Sequence, residues 1–144
     1  MTIRCEIVSQ DRTVFTGDVD IVVLPGAAGE MGILPKHAPV LTTLKYGVIK
    51  VRRGGKEEIF TVAGGVAEVQ PDIITVLADA AENVEEIDVA RADAARVRAE
   101  EALKNAPTDT DSYLAMEAAL RKSNLRLDAA RRYRKNTRSP YSEQ

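Results

Sequence analysis

Through its first 84 residues the chain alternates short apolar runs with turn residues, and the runs are built largely from valine, isoleucine and threonine. They occupy residues 3–9, 13–16, 19–24, 40–44, 48–53, 58–63, 66–70 and 73–78. β-Branched side chains fit a pleated surface, and short runs at this spacing predict a sandwich or barrel. The clearest hairpin sets residues 48–53 against 57–62 through Gly54-Gly55, where two glycines supply the positive φ of a primed turn. Pro71-Asp72 marks another turn.

After Ala81 the period changes from two to about 3.6. Asn83 with Glu86 three residues on has the form of a capping box, and Asp88 is a second N-cap candidate, so the first helix starts at one of the two. It is expected to end near Asn105-Ala106-Pro107, and a second helix to run over residues 111–134 behind Thr108-Asp109-Thr110-Asp111. A link this short predicts an antiparallel helical hairpin. The facing stripes are Val89, Ala92, Ala95, Ala99 and Ala102 on one helix, and Tyr113, Met116, Leu120, Ser123, Leu127 and Ala130 on the other. Burying a leucine contributes roughly 1.5 to 3 kcal/mol, and an alanine offers far less surface, so the seam predicts a weakly held hairpin. The expected fold class is therefore α+β: a sheet domain over residues 1–84 and a helical hairpin over 85–144.

The chain has 144 residues and a formal charge of −2, which gives no global case for nucleic acid or an anionic membrane. Distribution changes the picture. Residues 85–111 carry 8 acidic and 4 basic side chains, whereas residues 120–138 carry 8 basic ones against Asp128 alone. Cys5 is the single cysteine, so a disulfide framework and a thiolate zinc set are excluded, and a reducing cytoplasm fits. No run approaches the roughly 18 apolar residues of a membrane span, and the start lacks an apolar signal region. Membrane association is expected only through partners.

The segment Pro25-Gly26-Ala27-Ala28-Gly29-Glu30-Met31-Gly32-Ile33-Leu34-Pro35-Lys36-His37-Ala38-Pro39-Val40 concentrates glycine and proline, which together specify a particular backbone path and point to a binding loop. Its Gly26-x-x-Gly29-x-x-Gly32 spacing is not a phosphate cradle, because no helix start follows to aim amides at an anion. His37 is the only histidine, so no histidine metal cluster exists; its simplest role is a hydrogen bond to backbone in a proline-rich turn. Glu30 is expected at the exposed tip, beside Met31, an adaptable apolar side chain suited to a protein contact. No serine or cysteine has an obvious base, and no catalysis is expected.

Gly29-Glu30-Met31-Gly32-Ile33-Leu34-Pro35-Lys36-His37-Ala38-Pro39, Gly64-Gly65-Val66-Ala67-Glu68-Val69, Val76-Leu77-Ala78-Asp79-Ala80-Ala81-Glu82 and Ile87-Asp88-Val89-Ala90-Arg91-Ala92 occur in that order. In content and spacing they resemble the epsilon subunit family of the bacterial rotary, proton-translocating ATP synthase. The resemblance covers the chain to about Arg134; the last ten residues have no counterpart, and a disordered tail is expected there. It implies a β-sandwich of about ten strands followed by a two-helix domain. It also implies a non-catalytic central-stalk subunit at the cytoplasmic face of the bacterial inner membrane. In that family the sandwich binds the gamma subunit and the c-ring, which carries Glu30, Met31 and His37 over as c-ring or stalk contacts.

The family's helical domain regulates. Folded as a hairpin it permits ATP hydrolysis, and extended along gamma into the catalytic alpha/beta hexamer it obstructs rotation. The resemblance thus makes Arg121, Lys122, Arg126, Arg131, Arg132 and Arg134 candidates for pairing with acidic segments of the beta subunit. Some members bind ATP as a regulatory ligand, and no other cofactor is implied. The corresponding positions are Glu82, Ile87, Asp88, Arg91, Ala92, Arg98, Lys122 and Arg126, with Lys122 standing where the binders carry arginine. The Ile87-to-Ala92 hexad serves equally as a helix cap with an Asp88–Arg91 pair, and the sequence leaves both readings open. Two rivals to a rotor subunit are a stand-alone nucleic-acid module using the basic helix and an independent nucleotide sensor. The first is opposed by few aromatics and a negative net charge, and co-purification with gamma separates the rest.

Overall fold

The computed structural model describes residues 1–105 and 109–134. The expected tail beyond Arg134 lies outside them, as do Ala106, Pro107 and Thr108 of the interhelical link. The chain divides into two units, the first Met1–Asn83 and the second beginning at Val84.

The first unit is built of strands β1 (Ile3–Val8), β2 (Thr13–Val19), β3 (Ile21–Gly26), β4 (Gly29–Ile33), β5 (Val40–Arg53), β6 (Lys56–Val69), β7 (Ile73–Ala78) and β8 (Ala81–Asn83). Eight strands replace the expected ten or so, for a reason visible in the pairing. β5 and β6 are each 14 residues long, and each joins two runs that the sequence separates. The first half of β6 pairs with β8 and the second half of β5, which in turn pairs with β3 and through it β4. The second half of β6 pairs with β7 and the first half of β5, and β7 continues to β1 and β2. One hydrogen-bonded path therefore supplies both layers of a sandwich, and the two long strands belong to both. The switch falls at Gly64-Gly65, with φ of 86° and 128°. A Cβ on Gly65 would lie 2.3 Å from the Leu77 carbonyl oxygen, so only glycine lets β6 turn against β7.

Alternation decides what lies between the layers. Ile3, Cys5 and Ile7 of β1, Val22 and Leu24 of β3, Ile49 and Val51 of β5, and Ile74 and Val76 of β7 are all buried. Phe15 of β2 meets Phe60 of β6 with ring centroids 5.4 Å apart and planes tilted by 55°. Such a pair contributes about 0.5–1.5 kcal/mol beyond the area it buries. Cys5 is fully buried, and burial, with a smaller contribution from Glu6, pushes its thiol up to about 12. It stays protonated and unreactive at neutral pH. At the Gly54-Gly55 turn both glycines have positive φ and Arg53 pairs with Lys56, the primed hairpin that the sequence predicts.

The second unit opens with a 3₁₀ turn, Val84–Glu86, and continues as α1 (Val89–Lys104) and α2 (Thr110–Tyr133). Asp88, not Asn83, caps α1, because Asn83 is committed to the β8 ladder opposite Phe60. Asp109 caps α2. The helices run antiparallel, since Arg134 at the end of α2 reaches the backbone of Glu85 and Ile87 ahead of α1. Ala92, Ala99, Ser123 and Ala130 of the expected stripes are buried. Val89 and Tyr113 are 41% and 44% exposed; each lies in the first turn of its helix, at the edge of the seam, and Val84 and Ile87 are buried instead.

Candidate functional site

Two regions hold the residues singled out by sequence. In the first, β3 and β4 form a hairpin across Ala27-Ala28, with Gly26 opposite Gly29, Pro25 opposite Glu30 and Leu24 opposite Met31. The segment expected as a loop is thus partly strand, because β4 completes the ladder that β3 begins. Gly26 is required there: a Cβ would meet the Gly29 carbonyl oxygen and the Met31 sulfur, both at 2.9 Å. The Ala27 amide donates to the Thr43 carbonyl at 2.9 Å and pins the tip to β5. Glu30 is exposed. Met31 is half-buried against the core, so much of its surface serves the sandwich and only the remainder faces outward.

Beyond β4 the chain turns at Pro35-Lys36, where the His37 amide donates to the Leu34 carbonyl at 3.2 Å. Proline sets the first turn position, and Lys36 takes a φ of 64°, the left-handed region that glycine usually occupies. The Lys36 amide donates to the Pro71 carbonyl at 2.8 Å, which joins this turn to the one between β6 and β7. The His37 Nδ1–H donates to the Ala38 carbonyl at 2.7 Å, the backbone bond that the sequence suggests. Glu30 and His37 do not converge: they lie toward opposite ends of a strand rising about 3.3 Å per residue.

Three exposed leucines nearby were not singled out by sequence. Leu34 is 58% exposed, Leu41 71% and Leu77 54%. Pairing of Leu41 with Glu68 and of Val66 with Leu77 puts Leu41 and Leu77 on one outer face of the sandwich. An open groove of about 430 Å³ runs beside Leu41, lined also by Pro39, Glu68 and Gln70 among others. For Leu41 and Leu77 the signal was present in the alternation, since each follows an inward-facing residue of its own strand, Val40 on β5 and Val76 on β7; Leu34 lies just past the end of β4.

In the second region Asp88 takes the Arg91 amide on its carboxylate at 3.0 Å, so the Asp88–Arg91 relation is a backbone cap. Ile87 and Ala92 are buried and act in packing. Arg91 and Arg98 are exposed on α1, Lys122 is exposed on α2, and Arg126 is half-buried. Because α1 and α2 are antiparallel and the end of α2 meets Ile87, Lys122 and Arg126 lie at about the height of Arg98 and Ala95. Glu82 lies on β8, in the first unit, where its carbonyl accepts from the Thr61 hydroxyl at 3.4 Å.

Among the candidate beta-subunit contacts Arg121, Lys122, Arg131 and Arg132 are exposed. Arg131 pairs with Asp128 one turn earlier. Arg134 is turned toward backbone carbonyls. Among the described residues no helix is long and apolar enough to cross a membrane, and no group of three or more His, Cys, Asp or Glu side chains is placed to hold a metal.

Comparison with known proteins accounts for both units together. The ATP synthase delta/epsilon chain β-sandwich domain matches residues 2–84, and the long α-helix domain of the same chain matches residues 85–131. The chain belongs to the ATP synthase delta/epsilon family. It is 47% identical over 129 residues to an ATP synthase epsilon chain of Desulforamulus reducens, covering 90% of this chain and 97% of that one. It is 44% identical over 134 residues to an epsilon chain of Dehalococcoides mccartyi, covering 93% and 96%. Its fold is similar to a chain in the cryo-EM structure of the Euglena gracilis mitochondrial ATP synthase, with a TM-score of 0.72 and 26% identity over 90% of this chain and 81% of that one. The epsilon chains to which it is similar are non-catalytic subunits of ATP synthase.

Proposed function

We propose that this delta/epsilon family chain is a rotor subunit of a proton-translocating ATP synthase, whose sandwich docks on gamma and the c-ring and whose helical hairpin restrains ATP hydrolysis. The match of both units, in order, over residues 2–131 carries the reading. On the sandwich, the docking residues are Glu30 near the start of β4 and, beyond its other end, Leu34, His37 and Leu41, which present charge in one place and uncovered apolar area in the other, on braced backbone. The chain reaches the membrane through these partners, at the cytoplasmic face.

The hairpin supplies regulation because its seam is thin. The fully buried seam positions are alanines and one serine, and Met116, Leu120 and Leu127 are only half-buried, so opening costs less than parting helices packed through fully buried leucines. The basic face of α2 then compensates by pairing with acidic segments of the beta subunit. In the closed form, ATP is a candidate ligand at the height where Arg98, Lys122 and Arg126 come level, with guanidinium groups on its phosphates. Lys122 contributes a point charge in place of a two-pronged donor, and the expected affinity is correspondingly modest.

The test is reconstitution with gamma and the catalytic hexamer, comparing the full chain with one truncated after Val84. Both should co-purify with gamma, and truncation should raise hydrolysis. Failure to bind gamma rejects the rotor reading, and equal hydrolysis rejects the regulatory one. For the ligand, calorimetric titration of the isolated chain with ATP should release heat; none at millimolar nucleotide removes that part of the proposal.

A further inference from the structure

We propose that Arg134 is the latch of the helical hairpin, and that it opposes the inhibitory form instead of contributing to it. The residue sits at the C-cap of α2, and its guanidinium Nη2 donates to two backbone carbonyls, that of Glu85 at 3.3 Å and that of Ile87. Both acceptors precede α1, whose ladder begins with the Asp88 carbonyl accepting from the Ala92 amide. They are therefore acceptors that the helix itself leaves over. Ile87 is 2% exposed, and a carbonyl in such a setting loses solvation unless a donor reaches it. Arginine suits the place because its terminal Nη2 carries two N–H donors, one for each carbonyl, and because a cation at the end of α2 faces the negative end of that helix's dipole.

The two bonds close the hairpin at its open end. The other end is joined by the chain itself between Asn105 and Asp109, so separation of α1 from α2 begins where Arg134 stands. Between these ends the fully buried positions of the seam are alanines and one serine, with Met116, Leu120 and Leu127 only half-buried. In both of these bonds the acceptor is a main-chain atom and the donor is Arg134. Extension of α2 away from α1 breaks both of these bonds, so they count against the extended form. This deepens the regulatory reading above, and its consequence in the assembled enzyme rests on that reading, whereas the latch itself does not.

The experiment has two arms. In the isolated full chain, amide hydrogen exchange of α1 and α2 is compared among wild type, R134A, R134M and, as a charge-loss control, K104M. R134M keeps the apolar stem and removes every donor, so it separates the hydrogen bonds from side-chain packing. Hydrogen bonds to charged groups typically shift an equilibrium by about ten- to a hundred-fold, so exchange in α1 and α2 should rise at least about ten-fold in both Arg134 variants. Exchange in the sandwich should be unchanged, and K104M should match wild type. Wild-type rates in R134M, or equal acceleration in K104M, overturn the latch. In the reconstituted complex both Arg134 variants should inhibit hydrolysis more strongly than wild type. Weaker inhibition would make Arg134 a partner contact and overturn the proposal. Should truncation after Val84 leave hydrolysis unchanged, the regulatory reading falls and the exchange arm alone judges the latch.

Discussion

Asp109 shows how much one side chain can carry at the start of a helix. Its carboxylate accepts from the Ser112 hydroxyl at 2.8 Å and from the Asp111 and Ser112 amides at 3.3 Å each. The hydroxyl bond, with the two amides next, holds its carboxyl below the ordinary range. A carboxylate lowered in the folded state adds stability above its unfolded value, near 4, and loses it as pH falls through the lowered folded value. The first turn of α2 should therefore loosen on acidification below about pH 4. D109N, which still caps but does not titrate, should flatten that dependence. Exchange of the Ser112 amide followed by NMR across the acid range checks this, and identical profiles in the two proteins would refute it. Lys36 belongs to the same scale: a lysine at φ 64° is a backbone state that nothing in its own side chain announces.

At the scale of elements the hairpin is held by small residues, and one of them is polar. The Ser123 hydroxyl is buried in the seam and donates to the Ala119 carbonyl at 3.0 Å, back along its own helix. That bond satisfies the hydroxyl without tying α2 to α1, and serine is a weaker helix former than alanine. S123A should stabilise the helical unit by about 0.5 kcal/mol, and in a regulator this should favour the closed form. Slower exchange in α2 relative to wild type is the expected reading; faster exchange would mean that the hydroxyl contributes more to the seam than its bond to Ala119. The β5–β6 hairpin has the opposite character: two 14-residue strands shared by both layers, with a turn at Gly64-Gly65 that tolerates no side chain at Gly65.

Across the whole molecule the contrast is between a sandwich with a continuous core of Ile, Val, Leu and Phe and a hairpin with four buried alanines and a buried serine. The sandwich suits a fixed attachment and the hairpin suits a moving part. Charge reversal at Arg126 and Arg131 should raise hydrolysis by the assembled complex, because the extended form would lose its attraction for acidic partner segments. The measurement is steady-state ATPase activity with incorporation verified, and unchanged activity would reject the contact. Arg131 already pairs with Asp128, but such an exposed i,i+3 pair is worth only about 0.3–0.5 kcal/mol and exchanges readily for a stronger partner.

The order of sheet then helices, the Gly54-Gly55 hairpin, the alanine seam and the short helical link were legible in the chain because each depends on local period and local turn chemistry. The four motif blocks pointed to the family for a related reason: glycines and prolines at tight backbone positions leave few alternatives. Tertiary structure decided the rest. Whether residues 40–44 and 48–53 are two strands or one depends on pairing with partners far along the chain, which local pattern does not encode. The choice of Asp88 over Asn83 as the cap followed from Asn83 being claimed by β6. Likewise, a run of basic residues on α2 reads as one solvated face until folding turns Arg134 onto two carbonyls some fifty residues earlier in the chain, a contact that only the closed hairpin brings within reach.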